Sequence, residues 1–233
     1  MLPQFDNTEI AFKYRTTSEL KQAQFLFSSM GSPTLTSIGI TVTKWALALH
    51  LPIEGIVKRT IFKQFCGGET MEEAASTGDA LSPYNVGVIL DYGVEGKEDE
   101  AEFDKAVSEF IKAIKYAASK PSIPFISIKV TGFARFALLE KLHSGDKLSE
   151  AEQAEWQRVH TRIDKICRAA YEQKVMVLID AEETWIQNPV NELCDAVMEK
   201  YNRETVVIFN TFQCYTALVL PYLRESIQLA KEK

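Results

Sequence analysis

The sequence has little cysteine and little histidine: 4 Cys and 3 His among 233 residues. No two cysteines form a C-x-x-C pair, and no histidine lies at metal-ligand spacing from a cysteine, so we predict neither a disulfide framework nor a metal site. The thiols are expected to be reduced and packed, as is typical of a cytosol-like compartment; they belong to Cys66, Cys167, Cys194 and Cys214.

Long hydrophobic runs are also missing. The most apolar stretch, residues 45–53, contains His50 and Pro52 and is far shorter than the roughly 20 residues that span a bilayer. An integral membrane protein is therefore excluded. The first ten residues, MLPQFDNTEI, lack the basic and apolar regions of a signal peptide and the Arg/Ser bias of a transit peptide, so we expect a cytoplasmic chain.

Basic residues are fewer than acidic ones, 26 against 32, so the formal net charge at pH 7 is −6. Without a basic stripe the chain is not expected to bind nucleic acid. What is present, 46% hydrophobic and 25% charged residues, is the composition of an ordinary globular protein with a buried core.

Residues 1–63 are expected to form an N-terminal helical arm. Ser32 followed by Pro33 predicts a helix cap and first turn, and Pro52 opens a further helical stretch. Before them, four apolar residues recur at helical spacing: Leu20, Ala23, Phe27 and Met30.

Residues 64–233 are expected to form a second domain of parallel βα units, because short β-branched runs alternate there with longer amphipathic stretches. Strands are predicted at residues 65–70, 86–92, 125–131, 175–181 and 205–212. Helices are predicted at residues 100–119, 149–173, 189–201 and 222–231. Two of the helix starts have cap signatures, Ser149 to Glu152 and Asn188-Pro189.

This pattern predicts an α/β fold of the (β/α)8 TIM-barrel type. A barrel uses roughly 31 residues per unit, so the residues after position 64 make about five units and the barrel is expected to be partial, truncated after the fifth. A dinucleotide-binding sheet is disfavoured because its G-x-G-x-x-G signature is missing.

Three predicted strands carry a polar residue near their C-terminal ends: Lys129 in FISIKVT, Asp180 in VMVLIDAEE and Asn210 in VVIFNTF. Alternation groups Lys129 with Ser127, away from the aliphatic side of its strand. If all three point inward they surround one barrel mouth, where barrel chemistry takes place. A lysine beside an aspartate there suits an anionic, partly desolvated substrate.

Structural roles are the alternative for each residue. Lys129 could emerge into solvent, and Asp180 could cap the following loop or helix. Glu182 and Glu183 are expected to be N-terminal helix acids, and a structural role is favoured for Asp91. Packed or solvated roles are expected for the histidines, His50, His143 and His160.

Five segments, in this order and spacing, resemble the proline dehydrogenase family: IFKQFCGGET, VILDYGVEGKE, ISIKVTGFARFALLEK, VLIDAEETW and VIFNTFQCY. The resemblance implies a (β/α)8 barrel that binds FAD noncovalently. It also implies oxidation of L-proline to Δ1-pyrroline-5-carboxylate by hydride transfer to the flavin, with electrons passed to a quinone at the membrane surface. The expected partners are therefore L-proline and quinone, and the expected location is cytoplasmic, peripheral to the membrane.

The resemblance also implies roles for single residues. Lys129 matches the family lysine that pairs with the proline carboxylate, and Asp180 matches the aspartate at the active-site mouth. Asn210 stands where related proteins have a glutamine that is hydrogen-bonded to the flavin, so it is expected to bind the cofactor. Later family segments, K-L-V-R-G-A-Y and R-R-x-x-E-N, do not occur in the 233 residues, and for the chain alone we expect weak or no flavin binding and no turnover.

Two other functions stay open at this stage. The chain could be a non-catalytic partial barrel whose exposed edge pairs with a complementary chain. A Schiff-base enzyme that uses the Lys129 amine is a third hypothesis. Oligomeric state and the choice between proline and hydroxyproline are left open.

Overall fold

The computed structural model describes residues 6–93 and 96–233. The chain divides into two compact units, Met1–Val86 and Gly87–Lys233. The domains expected from the sequence, residues 1–63 and 64–233, stay a prediction.

The N-terminal unit is helical, as predicted. Thr16 and Glu19 form a capping box at the start of α2, and the Ser32 side chain caps α3 with Pro33 in its first turn. A π-helical segment, Lys58–Phe62, links α4 to α5. The helices are α1 (Thr8–Ala11), α2 (Thr17–Met30), α3 (Pro33–Ala48), α4 (Glu54–Val57), α5 (Lys63–Phe65) and α6 (Met71–Leu81).

The strand predicted at residues 65–70 is wrong. Phe65 ends α5, and the N–H of Cys66 still donates to the carbonyl of Phe62, as in a helix. The Thr70 side chain then caps α6 by accepting from the N–H of Glu73. Two glycines and a cap leave too few alternating side chains for a strand.

The C-terminal unit contains four of the five predicted strands, joined in a parallel sheet of order β1-β2-β3-β4. Its helices are α7 (Glu100–Ala117), α8 (Phe136–His143), α9 (Glu150–Gln173), α10 (Gln187–Tyr201) and α11 (Val219–Glu232). The strands are β1 (Ile89–Asp91), β2 (Phe125–Ile128), β3 (Met176–Ile179) and β4 (Ile208–Asn210). An α/β fold with successive parallel strands and intervening helices is thus confirmed.

One face of the sheet is covered by helices. Its side chains are buried, because α7, α9 and α10 pack against the strands. We call it the covered face; its buried members include Ile126, Ile128, Val177, Ile179 and Ile208. The other face, which we call the open face, consists of Ile89, Asp91, Phe125, Ser127, Met176, Leu178 and Phe209.

Of the two helix caps predicted in the C-terminal unit, one is correct. Ser149 and Glu152 form the expected capping box of α9. The predicted cap at Asn188 is wrong, since α10 already begins at Gln187. There the N–H of Asn188 donates to Nδ1 of His143 at 3.2 Å, so a histidine from α8 satisfies this helix end.

The prediction that the thiols are packed is correct for two of the four cysteines. Cys167 and Cys194 are buried, which raises the pKa of each thiol. Cys66 and Cys214 are exposed.

In residues 6–93 and 96–233, no helix is both long and apolar enough to cross a membrane.

Candidate active site

Lys129 and Asp180 follow neighbouring strands directly and lie on the open face. The register pairs Ile128 with Ile179, so the next residues along both strands stand side by side. The backbone of Lys129 is extended, which keeps its alternation with Ser127. The Ser127 hydroxyl donates to Oδ2 of Asp180 at 3.0 Å. The predicted neighbourhood of lysine and aspartate is therefore present in the fold.

Asn210 lies on the other face of the sheet, and the expectation that all three polar residues share one mouth is wrong for it. The register pairs Asn210 with Ile179, a residue of the covered face. Its amide nitrogen lies 3.2 Å from the Tyr222 hydroxyl and 3.4 Å from Oδ1 of Asn191. Its assignment to cofactor binding stays a prediction.

The pairing of β4 explains this difference. Phe209, not Asn210, is in register with Leu178 on the open face. The Phe209 ring contacts the ring of Phe125, also an open-face residue, with a centroid distance of 5.6 Å. The sequence shows alternation within a strand but not which of the two sets faces inward.

Asp91 joins the site, although the sequence favoured a structural role for it. The register pairs Asp91 with Ser127, which places it on the open face in the row that also holds Leu178. Asp91 is exposed there. Its position could have been found from the sequence only by aligning the ends of β1 and β2.

Glu182 is the second functional candidate that the sequence missed. The sequence predicts an N-terminal helix acid at this position, whereas the Glu182 side chain contacts the turn that follows Lys129. Its carboxylate accepts from the Thr131 N–H at 3.1 Å and from the Thr131 hydroxyl. Burial raises the pKa of Glu182, while these hydrogen bonds and nearby Lys129 oppose the shift.

A cavity of about 780 Å³ opens beside these residues. Lys129, Thr131 and Glu182 contribute to its wall, together with the aromatic side chains of Phe136, Trp185 and Tyr215. A few charged or polar side chains in an otherwise apolar wall are typical of small-molecule binding sites. A second cavity of about 370 Å³ lies near the end of β4 and is lined mainly by uncharged side chains, including Gln187, Asn191, Gln213 and Tyr222.

The charges of this region suit a zwitterion. Lys129 supplies a cation for a carboxylate group, and Asp91 and Asp180 supply anions on the same face of the sheet for an amine. Within the part of the chain that the structure describes, no group of three or more His, Cys, Asp or Glu side chains is placed to hold a metal ion.

Comparison with protein families matches residues 74–233 to the family described as proline dehydrogenase. The carbapenem antibiotics biosynthesis protein CarD of Pectobacterium carotovorum subsp. carotovorum is 36% identical over 166 residues, which cover 71% of this chain and 44% of CarD. Proline dehydrogenase 1, mitochondrial, of Dictyostelium discoideum is 26% identical over 224 residues, which cover 80% of this chain and 39% of that protein.

The fold is similar to solved structures as well. The crystal structure of proline utilization A (PutA) from Bdellovibrio bacteriovorus inactivated by N-propargylglycine matches with a TM-score of 0.63 and 14% identity, over 77% of this chain and 20% of that chain. The chain thus spans less than half of the length of these curated relatives. The family match extends over most of the chain and includes all four strands of the sheet. The chain belongs to the proline dehydrogenase family.

Proposed function

We propose that the open face binds L-proline beside FAD and supports oxidation of the substrate to Δ1-pyrroline-5-carboxylate. The observation that carries this proposal is the adjacency of Lys129 and the Ser127-bound Asp180 at the C-terminal ends of β2 and β3. Membership of the proline dehydrogenase family supports the same reaction class.

In the proposed complex, Nζ of Lys129 holds the substrate carboxylate. The Asp180 carboxylate, oriented by the Ser127 hydroxyl, accepts a hydrogen bond from the substrate amine. Together the two residues fix a five-membered ring in one orientation, which is the main contribution of a protein to a hydride transfer. The substrate loses a hydride from C5 and a proton from nitrogen, and a carbon–nitrogen double bond forms.

The residues present fit a flavin. Leu178 and Phe209 are half-buried on the open face, so they offer apolar surface to a planar ring system, and Lys129 lies beyond them at the strand ends. We propose these three residues as the part of the FAD site that the open face provides. The cofactor role predicted for Asn210 from the sequence is kept as a separate proposal, since its side chain lies on the covered face. FAD supplies the two-electron acceptor for the hydride.

The experiment is a flavin titration of the purified chain. For the chain alone the sequence predicts weak or no flavin binding and no turnover. The proposed function predicts instead that, after incubation with FAD and gel filtration, the protein fraction has a flavin absorbance band that L-proline bleaches anaerobically. N-propargylglycine, which inactivated the related PutA, is expected to prevent bleaching by L-proline. A chain that retains no FAD, or whose flavin L-proline does not reduce, would overturn the proposal.

Substitution of Lys129 sharpens the test. Lys129→Met removes the cation, and we expect roughly 10- to 100-fold more L-proline to be needed for half-maximal bleaching, as for a lost charge-assisted hydrogen bond. Lys165→Met, on an exposed position of α9, is the matched control. Equal responses of the two variants would remove Lys129 from the site.

Two further proposals extend this function. Hydroxyproline is included in the same titration, because the sequence leaves the choice between proline and hydroxyproline open. We also propose a quinone at a membrane surface as electron acceptor, to be tested by reoxidation of the reduced flavin with a soluble quinone.

The second candidate function is a non-catalytic subunit, favoured by the unpaired edge of β4 at one end of the described sheet.

A further inference from the structure

The N-terminal unit contains a cavity of about 700 Å³, which we call the basic cavity. Four cationic side chains contribute to its wall against two carboxylates, although the whole chain has a net charge of −6. The cations come from separate stretches of the chain: Arg15 precedes α2, Lys58 and Arg59 belong to the π-helical segment, and Lys63 begins α5. The fold thus gathers positive charge around one cavity of an acidic protein.

The two lysines of the wall are already paired with carboxylates of the same unit. Nζ of Lys58 forms an ion pair with Glu69, and Nζ of Lys63 lies 3.3 Å from Oε1 of Glu19. The other carboxylate of the wall, that of Glu73, accepts a hydrogen bond from the N–H of Glu69 at 2.8 Å. Both carboxylates of the wall therefore have partners other than the arginines.

Arg15 and Arg59 are the remaining cations of the wall. Among the residues that the structure describes, no carboxylate forms an ion pair with either guanidinium. Arg15 is half-buried, and its Cζ lies 5.1 Å from the centre of the Tyr14 ring, which helps to orient it. A guanidinium presents a fork of N–H donors that matches the oxygens of a phosphate. Two such groups in one cavity without a carboxylate partner indicate an anionic ligand.

The backbone around the basic cavity is held in place by its neighbours. Nε2 of Gln22 in α2 donates to the carbonyl of Arg59 at 2.9 Å. Elsewhere in the wall, Gly68 packs directly on α6, where a Cβ atom would come within 2.4 Å of Cβ of Glu73. The π-helical segment that carries Arg59 is a rare conformation, and such segments are frequent at functional sites. A wall that is fixed before the ligand arrives loses little conformational entropy on binding.

We propose that the basic cavity binds a small phosphate monoester, with Arg15 and Arg59 donating hydrogen bonds to the phosphate oxygens. At roughly 30 Å³ for each water molecule, the cavity has room for about two dozen waters, more than a phosphate group alone fills. The rings of Tyr14 and Phe62 also line it, which suits an aromatic body attached to the phosphate. The site is independent of the open face, since its wall lies within residues 14–81.

The test is isothermal titration calorimetry of the full chain with phenyl phosphate as the probe, and we expect one binding site per chain. Arg15→Met and Arg59→Met should each weaken binding roughly 10-fold, as for the loss of a charge-assisted hydrogen bond. Arg59→Lys keeps the charge but not the fork of donors, so it should recover only part of the loss. The matched control is Lys21→Met, which removes the same charge from an exposed position of α2 outside the cavity and should bind as the wild type does.

Circular dichroism checks that the variants keep their helices. A wild-type chain that binds no phenyl phosphate overturns the proposal, and so do arginine variants that bind it as tightly as the wild type. An equal loss in Lys21→Met would show attraction by overall charge alone and would also overturn it. Flotation with phosphatidylglycerol vesicles tests a lipid headgroup as the source of the phosphate. Vesicle binding that depends on the two arginines, without binding of phenyl phosphate, would assign them to a membrane surface and overturn the proposal.

Discussion

The Ser127 hydroxyl donates a hydrogen bond to Oδ2 of Asp180 at 3.0 Å, from a side chain that is only 6% exposed. This contact joins β2 to β3 through side chains on the open face. It holds the Asp180 carboxylate in one orientation, next to the position of Lys129. A carboxylate held in place loses less conformational freedom when it binds a substrate amine.

Ser127→Ala tests how much the fixed orientation of the Asp180 carboxylate contributes to the affinity for L-proline. We expect a loss of roughly 10- to 150-fold in affinity for L-proline, corresponding to about 1.5–3 kcal/mol for a hydrogen bond to a charged group. The flavin titration with L-proline measures it. Ser108→Ala is the control, because the Ser108 hydroxyl only donates to a carbonyl in α7. An unchanged affinity for Ser127→Ala would contradict the proposed role of Asp180.

Glu182→Gln is predicted to change how stability depends on pH. Burial raises the pKa of Glu182 above its usual 4.5 in the folded chain, so the folded state holds the proton more tightly than the unfolded state. The wild type then loses stability as pH rises from about 4.5 through the raised pKa, and the variant lacks this loss.

Urea unfolding at several pH values measures the effect. The free energy of unfolding of the wild type, relative to that of Glu182→Gln, should decrease as the pH rises above about 4.5. Glu172→Gln, on an exposed position of α9, should follow the wild type. A constant difference between wild type and Glu182→Gln over this range would show that the shift is absent.

Glu100 is expected to affect the pH dependence of stability in the opposite sense, because its contribution is lost at acid pH. Hydrogen bonds from Arg158 and buried Arg162 lower the pKa of Glu100 to about 2. Its contribution to stability is therefore present above pH 4.5 and is lost as pH falls from there toward 2. Glu100→Gln should unfold more easily than wild type at pH 7, and this deficit should shrink near pH 2.

Thermal unfolding followed by circular dichroism at neutral and acid pH measures the Glu100 effect. Glu204→Gln, at an exposed position before β4, is the control and should change little at either pH. A Glu100 deficit that is the same at both pH values would exclude the ion pairs as its cause.

Asn210→Ala is predicted to destabilise the C-terminal unit by about 1 kcal/mol, because the amide of Asn210 donates to the Tyr222 hydroxyl. Tyr222 in turn donates to Oδ1 of Asp195 at 3.0 Å, whose pKa is raised by burial. Tyr222→Phe should cost a similar amount, and a double-mutant cycle should show coupling between the two residues.

The ratio of flavin to protein in these variants tests the cofactor role of Asn210. If the amide contacts the flavin, Asn210→Ala should retain less FAD than Tyr222→Phe at equal stability. Equal retention by the two variants would contradict that role and leave Asn210 as a link between β4 and α11.

The sequence by itself determined the parallel βα pattern, four of the strands, the major helices of the C-terminal unit and the family. These features depend on local periodicity, caps and motif order, all of which are visible along the chain. The strand predicted from the sequence at residues 65–70 is wrong, because two glycines and the Thr70 cap outweigh a short apolar run there. Asn188 failed as a cap because His143, distant in sequence, reaches that helix end.

Only the tertiary structure decided which polar residues share a face. Alternation within one strand defines two sets of side chains, but the register between strands and the packing of helices select the set that is covered. For this reason Lys129 and Asp180 meet on the open face, Asp91 joins them, and Asn210 turns to Tyr222. Glu182 likewise acquired its role from a long-range contact with Thr131, which no local pattern encodes.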